Sequence, residues 1–406
     1  MATAVSSAPS GTSHPLRNGY FRQLWAGRAI SNLGDQFYLV ALPWLILSLT
    51  NSGVALGTIM MTGAIPTAVL MLAGGVLSDR FSARKILIST ASVRMICVAL
   101  LGVLVAMHAV ALWQIYVLAF TFGVADAFAS PASQTLLPSI VASDQLPAAN
   151  SVTQSTQQLT SIVGPAPAGL VVKALGSASA FFIDAISFLF VIAALFRLPD
   201  PPRSSTPKTG MLRAIGEGLR YINSDVAMRS LLLVAAALNF CLAGPISIGL
   251  MWIAKHQFGS PIAFSVFVAA VAAGGLAGAI AAGAFKPRQR GVLMLTVAVA
   301  IALGTAVLGV VTALWVVGAV LFAMGASAGF LNVHIVAWFQ QRVDRSMLGR
   351  AMSVIMFAAV GLQPISLAIA GVAVTWSLTG MFFAAAAIML LVATIAGLQG
   401  SVREIQ

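Results

Sequence analysis

The chain has 406 residues, of which 59% are hydrophobic and only 8% are charged, and its net charge is +12. Soluble domains contain about 25% charged residues, so this composition excludes a water-soluble globular protein. Apolar stretches of about 20 to 25 residues without polar alternation indicate membrane-spanning helices rather than the strands of a barrel. The predicted class is therefore an all-α integral membrane protein.

Twelve transmembrane helices are predicted, arranged as two six-helix halves. Their predicted limits are 21–49, 54–78, 86–108, 111–137, 150–174, 177–197, 229–254, 262–284, 291–311, 313–339, 350–374 and 377–398. The predicted organisation is a disordered cytoplasmic N-terminal tail, an N-terminal half, a cytoplasmic linker, a C-terminal half and a cytoplasmic C-terminal tail. These parts span residues 1–20, 21–197, 198–228, 229–398 and 399–406.

Positive charge supports this arrangement. Of the 22 Lys and Arg residues, all but Lys173 and Lys255 fall on one side of the predicted helices. Positively charged loops remain in the cytoplasm, so both termini are predicted to be cytoplasmic. The net charge then reflects topology, and it predicts no nucleic-acid partner.

The linker contains apolar residues at helical spacing, with charged residues on the opposite face. Its apolar residues are Met211, Leu212, Ile215, Leu219 and Ile222. This pattern predicts a short amphipathic helix on the inner membrane surface. A solvated linker is the alternative interpretation.

The loop after the second predicted helix carries a recognisable pattern. It runs from Gly75 through Asp79, Arg80, Phe81, Ser82, Ala83 and Arg84 to Lys85. It resembles the signature loop of the major facilitator superfamily, although Ser82 and Ala83 replace the usual Gly and first Arg. Segments 31–37, 128–138, 149–151 and 182–188 resemble the macrolide-efflux and enterobactin-exporter-like branch of that superfamily.

The resemblance implies the major facilitator fold, drug:proton antiport and a place in the bacterial cytoplasmic membrane. The sequence contains no phosphate-binding GxxxxGK[ST] loop, so ATP is not the direct energy source. We predict a monomeric exporter of a small amphipathic molecule, such as a drug, antibiotic or siderophore, working by alternating access. It needs no cofactor or metal and is no enzyme, since a proton gradient supplies its energy. A lysophospholipid or lipid flippase and a non-transporting membrane sensor or scaffold are the alternatives.

Asp35 is the leading candidate for proton coupling. It lies in the middle of the first helix, where an uncompensated carboxylate would cost several kcal/mol. Ser31, Asn32 and Tyr38 share its face at helical spacing, which predicts a polar cavity wall. A buried, hydrogen-bonded Asp that braces helices is the alternative.

Two further acids lie within predicted spans. Asp126 is predicted to pair with Arg94 of the third helix, either as a structural ion pair or as a coupled proton site. On this interpretation Asp126→Asn damages folding. For Asp184 of the sixth helix we expect a structural hydrogen bond, with a transport role as the alternative.

The fifth helix contains Gly164, Pro165 and Gly169 in a pattern that resembles the antiporter motif of proton-driven exporters. A proline-kinked helix without this role is the alternative. Gln154, Gln157 and Ser161 precede it on one helix face and are predicted to line the cavity. The second half offers only neutral candidates for substrate contact, namely Asn239, Phe240, Asn332 and Gln363.

The signature loop predicts a gate. The resemblance implies that Asp79 latches the two halves near the start of the eleventh helix, at Arg350, where a helix N-terminus attracts negative charge. The other members of this predicted gate are Gly75, Arg80, Arg84 and Lys85. A solvated loop carboxylate is the alternative for Asp79.

Overall fold

The computed structural model describes residues 14–80, 82–198, 211–285, 289–344 and 347–399. For residues 71–80, 211–215, 348, 349, 353 and 359 it describes the backbone alone. These ranges contain helices and no strands. The helices are α1 Gly19–Thr50, α2 Gly53–Arg80, α3 Ala83–Ala106, α4 Leu112–Ile140, α5 Leu146–Val163, α6 Pro165–Phe196, α7 Met211–Ser224, α8 Val226–Gly244, α9 Leu250–His256, α10 Pro261–Ala284, α11 Arg290–Leu308, α12 Leu314–Arg342, α13 Leu348–Val360, α14 Gln363–Trp376 and α15 Leu378–Leu398.

Eleven stretches of the described residues are long and apolar enough to cross a membrane. One of them, Leu146–Phe196, contains 51 residues. As a single helix it would be about 77 Å long, more than twice the ~30 Å hydrocarbon core. Gly176 interrupts it with a φ of +81°, a conformation that residues with a side chain rarely adopt. The predicted fifth and sixth spans meet at this break.

Prolines divide three of the long apolar stretches. Pro165 separates α5 from α6, Pro245 begins a π-helical turn between α8 and α9, and Pro364 lies at the start of α14. Proline has no N–H to donate and clashes with the preceding turn. The helices can therefore bend at these points while the rest of each segment keeps its regular hydrogen bonds.

Helices α1 to α6 pack mainly on one another, and so do α8 to α15. The two groups meet where α2 packs on α14 and α6 packs on α10. Small residues allow these close approaches. A Cβ on Gly57 would lie only 2.6 Å from the Leu367 carbonyl oxygen, and one on Gly169 would lie 2.9 Å from the Ser265 Cβ.

The bundle has two ends. We call the end that carries α7 the linker end, and the end that carries Asn51 and His256 the far end. At the far end His256 Nε2 lies 2.8 Å from Asn51 Oδ1, and Lys255 donates a 2.9 Å hydrogen bond to Ser48. These contacts join α1 to α9, so the two groups of helices are closed against each other there.

Candidate polar cavity and arginine-carboxylate cluster

A cavity of about 700 Å³ lies among α1, α3, α4, α5 and α6. It extends from Asp35 to the linker end, where Leu137 and Leu146 line it. Its wall is rich in neutral hydrogen-bonding groups, namely Ser31, Asn32, Thr90, Ser130, Ser133, Gln134, Asn150, Thr153, Gln154 and Gln157. None of the described residues of α8 to α15 lines it. Such a wall can solvate a polar group of a ligand inside the bundle.

Arg94 of α3 organises the deep part of this cavity. Its Nη2 donates to Asp35 Oδ1 at 2.7 Å, and its Nη1 lies 3.5 Å from Asp126 Oδ1. The guanidinium also lies over two aromatic rings, 4.5 Å from the centroid of Phe122 and 4.8 Å from that of Phe188. Aromatic rings whose faces contact a guanidinium favour its charge and restrict its movement. The carboxylates therefore meet a cation in a fixed position.

The two carboxylates differ in how they meet the cavity. The side chain of Asp35 is 32% exposed and that of Asp126 is 45% exposed, whereas that of Arg94 is only 16% exposed. Both acids line the cavity. Each can therefore exchange a proton with cavity water while its cationic partner remains largely covered.

The predicted pair of Asp126 and Arg94 is present, but Asp35 is the closer partner of Arg94. The sequence does not predict this contact, because Asp35 and Arg94 are 59 positions apart on separate helices. The signal that the sequence does contain is one cation and two acids in the middle of predicted spans, because such a cation can pair with both acids. Asp35 is therefore one member of a three-residue cluster.

Other residues of α1 are divided between two environments. Ser31 and Asn32 line the cavity as predicted. Tyr38 does not, because its ring stacks on Phe122 at a centroid distance of 4.7 Å. Phe122 in turn contacts Arg94. Tyr38 thus packs on the ring that contacts Arg94. It does not line this cavity, which corrects its predicted place on the wall.

The predicted polar face of α5 is also divided. Gln154 and Gln157 line the cavity, whereas Ser161 donates to the Gln157 carbonyl and does not line it. Gln158 donates to the Ala272 carbonyl of α10 at 2.8 Å. Side chains of α5 therefore serve both the cavity wall and the contact with the other group of helices.

The glycines of the predicted antiporter motif lie at close helix contacts. A Cβ on Gly164 would lie 2.5 Å from the Gln36 Cγ of α1. Gly169 lies against α10, and Pro165 begins α6. The motif residues therefore form a tight seam joining α6 to α1 and α10.

The neutral candidates of the second half lie elsewhere. Asn239 donates to the Ala235 carbonyl of its own helix, and Asn332 and Gln363 are exposed. Phe240 lines a separate apolar cavity of about 340 Å³ between α8 and α15. None of the four lines the 700 Å³ cavity, so their contact with substrate stays a prediction. The sequence of an apolar helix does not show which of its faces packs against the other group of helices.

The gate residues are only partly described. The side chains of Gly75, Asp79 and Arg80 lie outside the described residues, so the latch at Asp79 stays a prediction. Arg84 donates to the carbonyls of Leu195 and Phe196 at 2.8 Å each. These bonds fix the start of α3 to the end of α6.

Two other gate residues lie at the linker end. Lys85 is exposed. Arg350, at the start of α13, pairs with Glu217 of α7 at 2.9 Å. That contact was not expected from the sequence, and it ties the linker helix to the segment where the latch is predicted.

Comparison with known proteins places the chain in a family. The family model described as "Transmembrane secretion effector" matches residues 10–406. The chain belongs to this family of the major facilitator superfamily. It is thus a multi-pass membrane protein with relatives that are transporters and not enzymes.

Similar proteins within the superfamily carry efflux names. Macrolide efflux protein A of Streptococcus pyogenes is 26% identical over 342 residues, covering 82% of this chain and 84% of the relative. Multidrug efflux pump Tap of Mycobacterium bovis is 27% identical over 359 residues, covering 83% of each. These matches agree with the efflux branch suggested by the sequence motifs.

Solved structures share the fold. The nucleoside transporter NupG superposes with a TM-score of 0.75 at 12% identity, covering 96% of this chain and 100% of that one. A bacterial homolog of the human lysosomal transporter Spinster, in an inward-facing and unoccupied conformation, gives 0.71 at 13% identity and covers 96% and 98%. At these identities the likeness concerns the fold alone.

Proposed function

We propose that this protein is a proton-coupled exporter of small amphipathic organic molecules, such as drugs, antibiotics or siderophores, in the bacterial cytoplasmic membrane. The observation that carries the proposal is the cluster in which Arg94 is shared by two cavity-facing carboxylates. A site that loads and releases a proton needs a carboxylate reached by water, with a partner whose contact changes when the carboxylate is neutralised. The efflux names of the relatives support the direction of transport.

The cluster suggests how a proton acts. While Asp35 is ionised, its 2.7 Å contact with Arg94 holds α1 against α3. A proton on Asp35 removes the charge that attracts the guanidinium, and Arg94 then turns toward Asp126, its remaining anionic partner. The helices that carry these residues are thereby released from one fixed contact. Alternating access requires such a difference between the protonated and ionised forms.

The energy available is sufficient for export. At a proton-motive force of roughly 150–200 mV, one proton supplies about 3.5–4.6 kcal/mol. This supports a concentration ratio of about 300- to 2,000-fold for a neutral substrate. One proton per cycle is therefore enough to export a neutral substrate against a concentration ratio of this size.

We further propose twelve membrane crossings in two six-helix halves, with both termini in the cytoplasm, in a monomer. The length of Leu146–Phe196 and the break at Gly176 support two crossings in that stretch. The positive side of the sequence coincides with the linker end. The cavity then opens to the cytoplasm in this conformation, where a substrate awaiting export would enter.

A second candidate is a flippase for lysophospholipids of the same fold. The apolar cavity beside Phe240 favours it, because Leu233, Ile388 and Ile395 line that cavity and are also exposed. An acyl chain could enter such a site from the bilayer. A flippase would not require the proton gradient.

The test is transport into everted membrane vesicles across a panel of macrolides, other amphipathic drugs, siderophores and lysolipids, with and without an imposed pH gradient. The proposal predicts uptake of at least one drug or siderophore, and collapse of the gradient should abolish that accumulation. Movement of lysolipid alone, unaffected by the gradient, would favour the flippase. Vesicles without the protein are the control.

A further inference from the structure

Asp184 of α6 is a carboxyl hidden behind the cavity. Its side chain is fully buried, with 0% exposure, and it is not part of the cavity wall. It packs on Gly34, the residue before Asp35 in α1. A Cβ on Gly34 would lie 2.8 Å from Asp184 Oδ1 and 2.5 Å from the Ser187 Cβ. Asp184 therefore lies next to the proposed coupling cluster but is shut off from its water.

The hydrogen bonds of Asp184 do not suit an ionised carboxylate. Its Oδ2 has no hydrogen-bond partner among the described residues. Its Oδ1 has the Ser187 hydroxyl at 3.4 Å, but that hydroxyl donates its proton at 2.7 Å to the carbonyl oxygen of Asp184 itself. A hydroxyl has a single proton, so its oxygen is left to accept. A protonated Asp184 can donate to it, whereas an ionised one has no good donor.

The nearby charges do not balance an ionised Asp184 either. The titratable groups that interact with Asp184 are Asp35 and Tyr38 on α1 and Arg94 on α3. Arg94 is already shared by Asp35 and Asp126, and no described cation forms an ion pair with Asp184. An isolated ionised carboxylate in an apolar interior is so costly that such groups become neutral instead. One guanidinium cannot balance three carboxylates.

We propose that Asp184 holds a proton in this conformation and is a second proton-binding carboxyl of the Arg94 cluster, separate from the cavity carboxylates. Its neutral form leaves Arg94 to Asp35 and Asp126. An ionised Asp184 would compete for the guanidinium and weaken the 2.7 Å contact. The cluster thus stores one proton before either cavity carboxylate takes one up. This role in coupling rests on the proposed function, whereas the protonation itself can be tested without transport.

The experiment is infrared absorption of the purified full-length protein in an alkyl maltoside, which has no carbonyl group of its own. At about pH 8 ordinary carboxyl groups are ionised, so a carbonyl stretch of a carboxylic acid reports an unusual site. We expect that band in the wild type, its loss in Asp184→Asn, and its retention in Asp35→Asn. Asp144→Asn, at an exposed loop position, is the matched control and should leave the band unchanged.

Ser187→Ala provides a second variant that keeps the acid. Removal of the neighbouring hydroxyl should shift the band without abolishing it, so the proposal remains testable if Asp184→Asn does not fold. The absence of any such band in the wild type would overturn the proposal. A band that persists unchanged in Asp184→Asn, or that does not shift in Ser187→Ala, would overturn it as well. A band lost only in Asp35→Asn would overturn it while leaving the proposed exporter intact. If the band is lost in Asp184→Asn but the wild type shows no proton-driven transport, the protonation of Asp184 is supported and the proposed exporter function is wrong.

Discussion

The Arg94 cluster shows how single residues build a polar site in an apolar bundle. Its cation is covered by two aromatic rings, and its acids differ in exposure, which gives each carboxyl a different environment. The sequence allowed Asp35, Asp126 and Arg94 to be selected, because charges in apolar helices are rare and costly. It could not rank their contacts. That depends on the rotation of α1 and α3 about their axes, which the nearly uniform apolar faces of these helices do not reveal.

Gly34 is the residue on which this arrangement depends most closely. A Cβ there would clash with the Ser187 Oγ and would lie 2.5 Å from the Ser187 Cβ. The second contact cannot be relieved by rotation of the hydroxyl, so α1 and α6 would have to separate. The glycine is thus required by the close approach of two helices.

We therefore predict that Gly34→Ala destabilises the protein by about 1–3 kcal/mol, the usual cost of overpacking. Thermal unfolding in detergent measures the change. Gly318→Ala is the matched control, because Gly318 is also helical and a Cβ there meets nothing within 4 Å. Because alanine has a higher helix propensity than glycine, Gly318→Ala should be slightly more stable than the wild type. Equal stability of the two variants would show that the α1–α6 contact is looser than described.

At the scale of elements, the linker helix α7 is fixed to the second group of helices. Arg350 pairs with Glu217, and the Tyr221 hydroxyl donates to Asp344 at 3.0 Å. The apolar spacing in the linker predicted a helix here, and the structure has one at Met211–Ser224. Its docking partners could not be predicted, since exposed charges pair in many ways at similar energy.

Asp225 joins α7 to α8 and has the clearest pH dependence at the linker end. Burial opposes its ionisation. Hydrogen bonds from the backbone N–H of Met228 and Ala227, together with the Arg342 guanidinium at 3.0 Å, outweigh that effect and lower its pKa. A carboxyl with a lowered folded-state pKa stabilises the protein above its unfolded-state pKa. That stabilisation is lost as the pH falls through the folded-state value.

Asp225→Asn keeps a side-chain oxygen to cap α8 but loses the charge that pairs with Arg342. Because Arg342 is mostly exposed, we predict a loss of only about 0.2–1 kcal/mol at neutral pH. The difference from wild type should close below about pH 4. Unfolding in detergent as a function of pH measures it, with Asp144→Asn as the control. A gap that persisted in acid would assign the effect to the cap geometry instead of the charge.

At the scale of the whole molecule, the sequence alone predicted the helical membrane fold and its family. Long apolar stretches, clustered positive charge and the signature loop each pointed to the same class. The shape of the cavity could not be predicted, because in this conformation it lies within the first group of helices alone. The sequence predicts polar residues of α8 to α15 on its wall from their residue type alone, because it does not show in which conformation these residues face a cavity.

Orientation in the membrane is predicted from the positive charges and can be tested by labelling. After replacement of the buried Cys97 and Cys241, single cysteines can be placed at exposed positions Ser143, near the linker end, and Gln257, at the far end. A membrane-impermeant thiol reagent should label Ser143→Cys only from the cytoplasm and Gln257→Cys only from outside. The reverse pattern, or both positions labelled from one side, would refute the proposed topology.

In the proposed mechanism, Asp35 is the carboxylate that couples protons to export. Asp35→Asn resembles the protonated form and cannot release a proton. Asp126→Asn provides the comparison. The sequence alone predicts that it damages folding. In the structure, however, Asp35 is the closer partner of Arg94, at 2.7 Å, so Asp126→Asn leaves the guanidinium an anionic partner and we expect a folded protein. Both proteins can therefore be compared in the same membrane.

The decisive measurement is pH-gradient-driven transport in proteoliposomes of a neutral compound that the vesicle panel identifies, alongside its downhill exchange without a gradient. We predict that Asp35→Asn loses concentrative transport while downhill exchange continues. Asp126→Asn should retain at least part of the concentrative transport. If Asp35→Asn concentrates the compound as the wild type does, Asp35 is structural and the proposed coupling through the Arg94 contact is wrong.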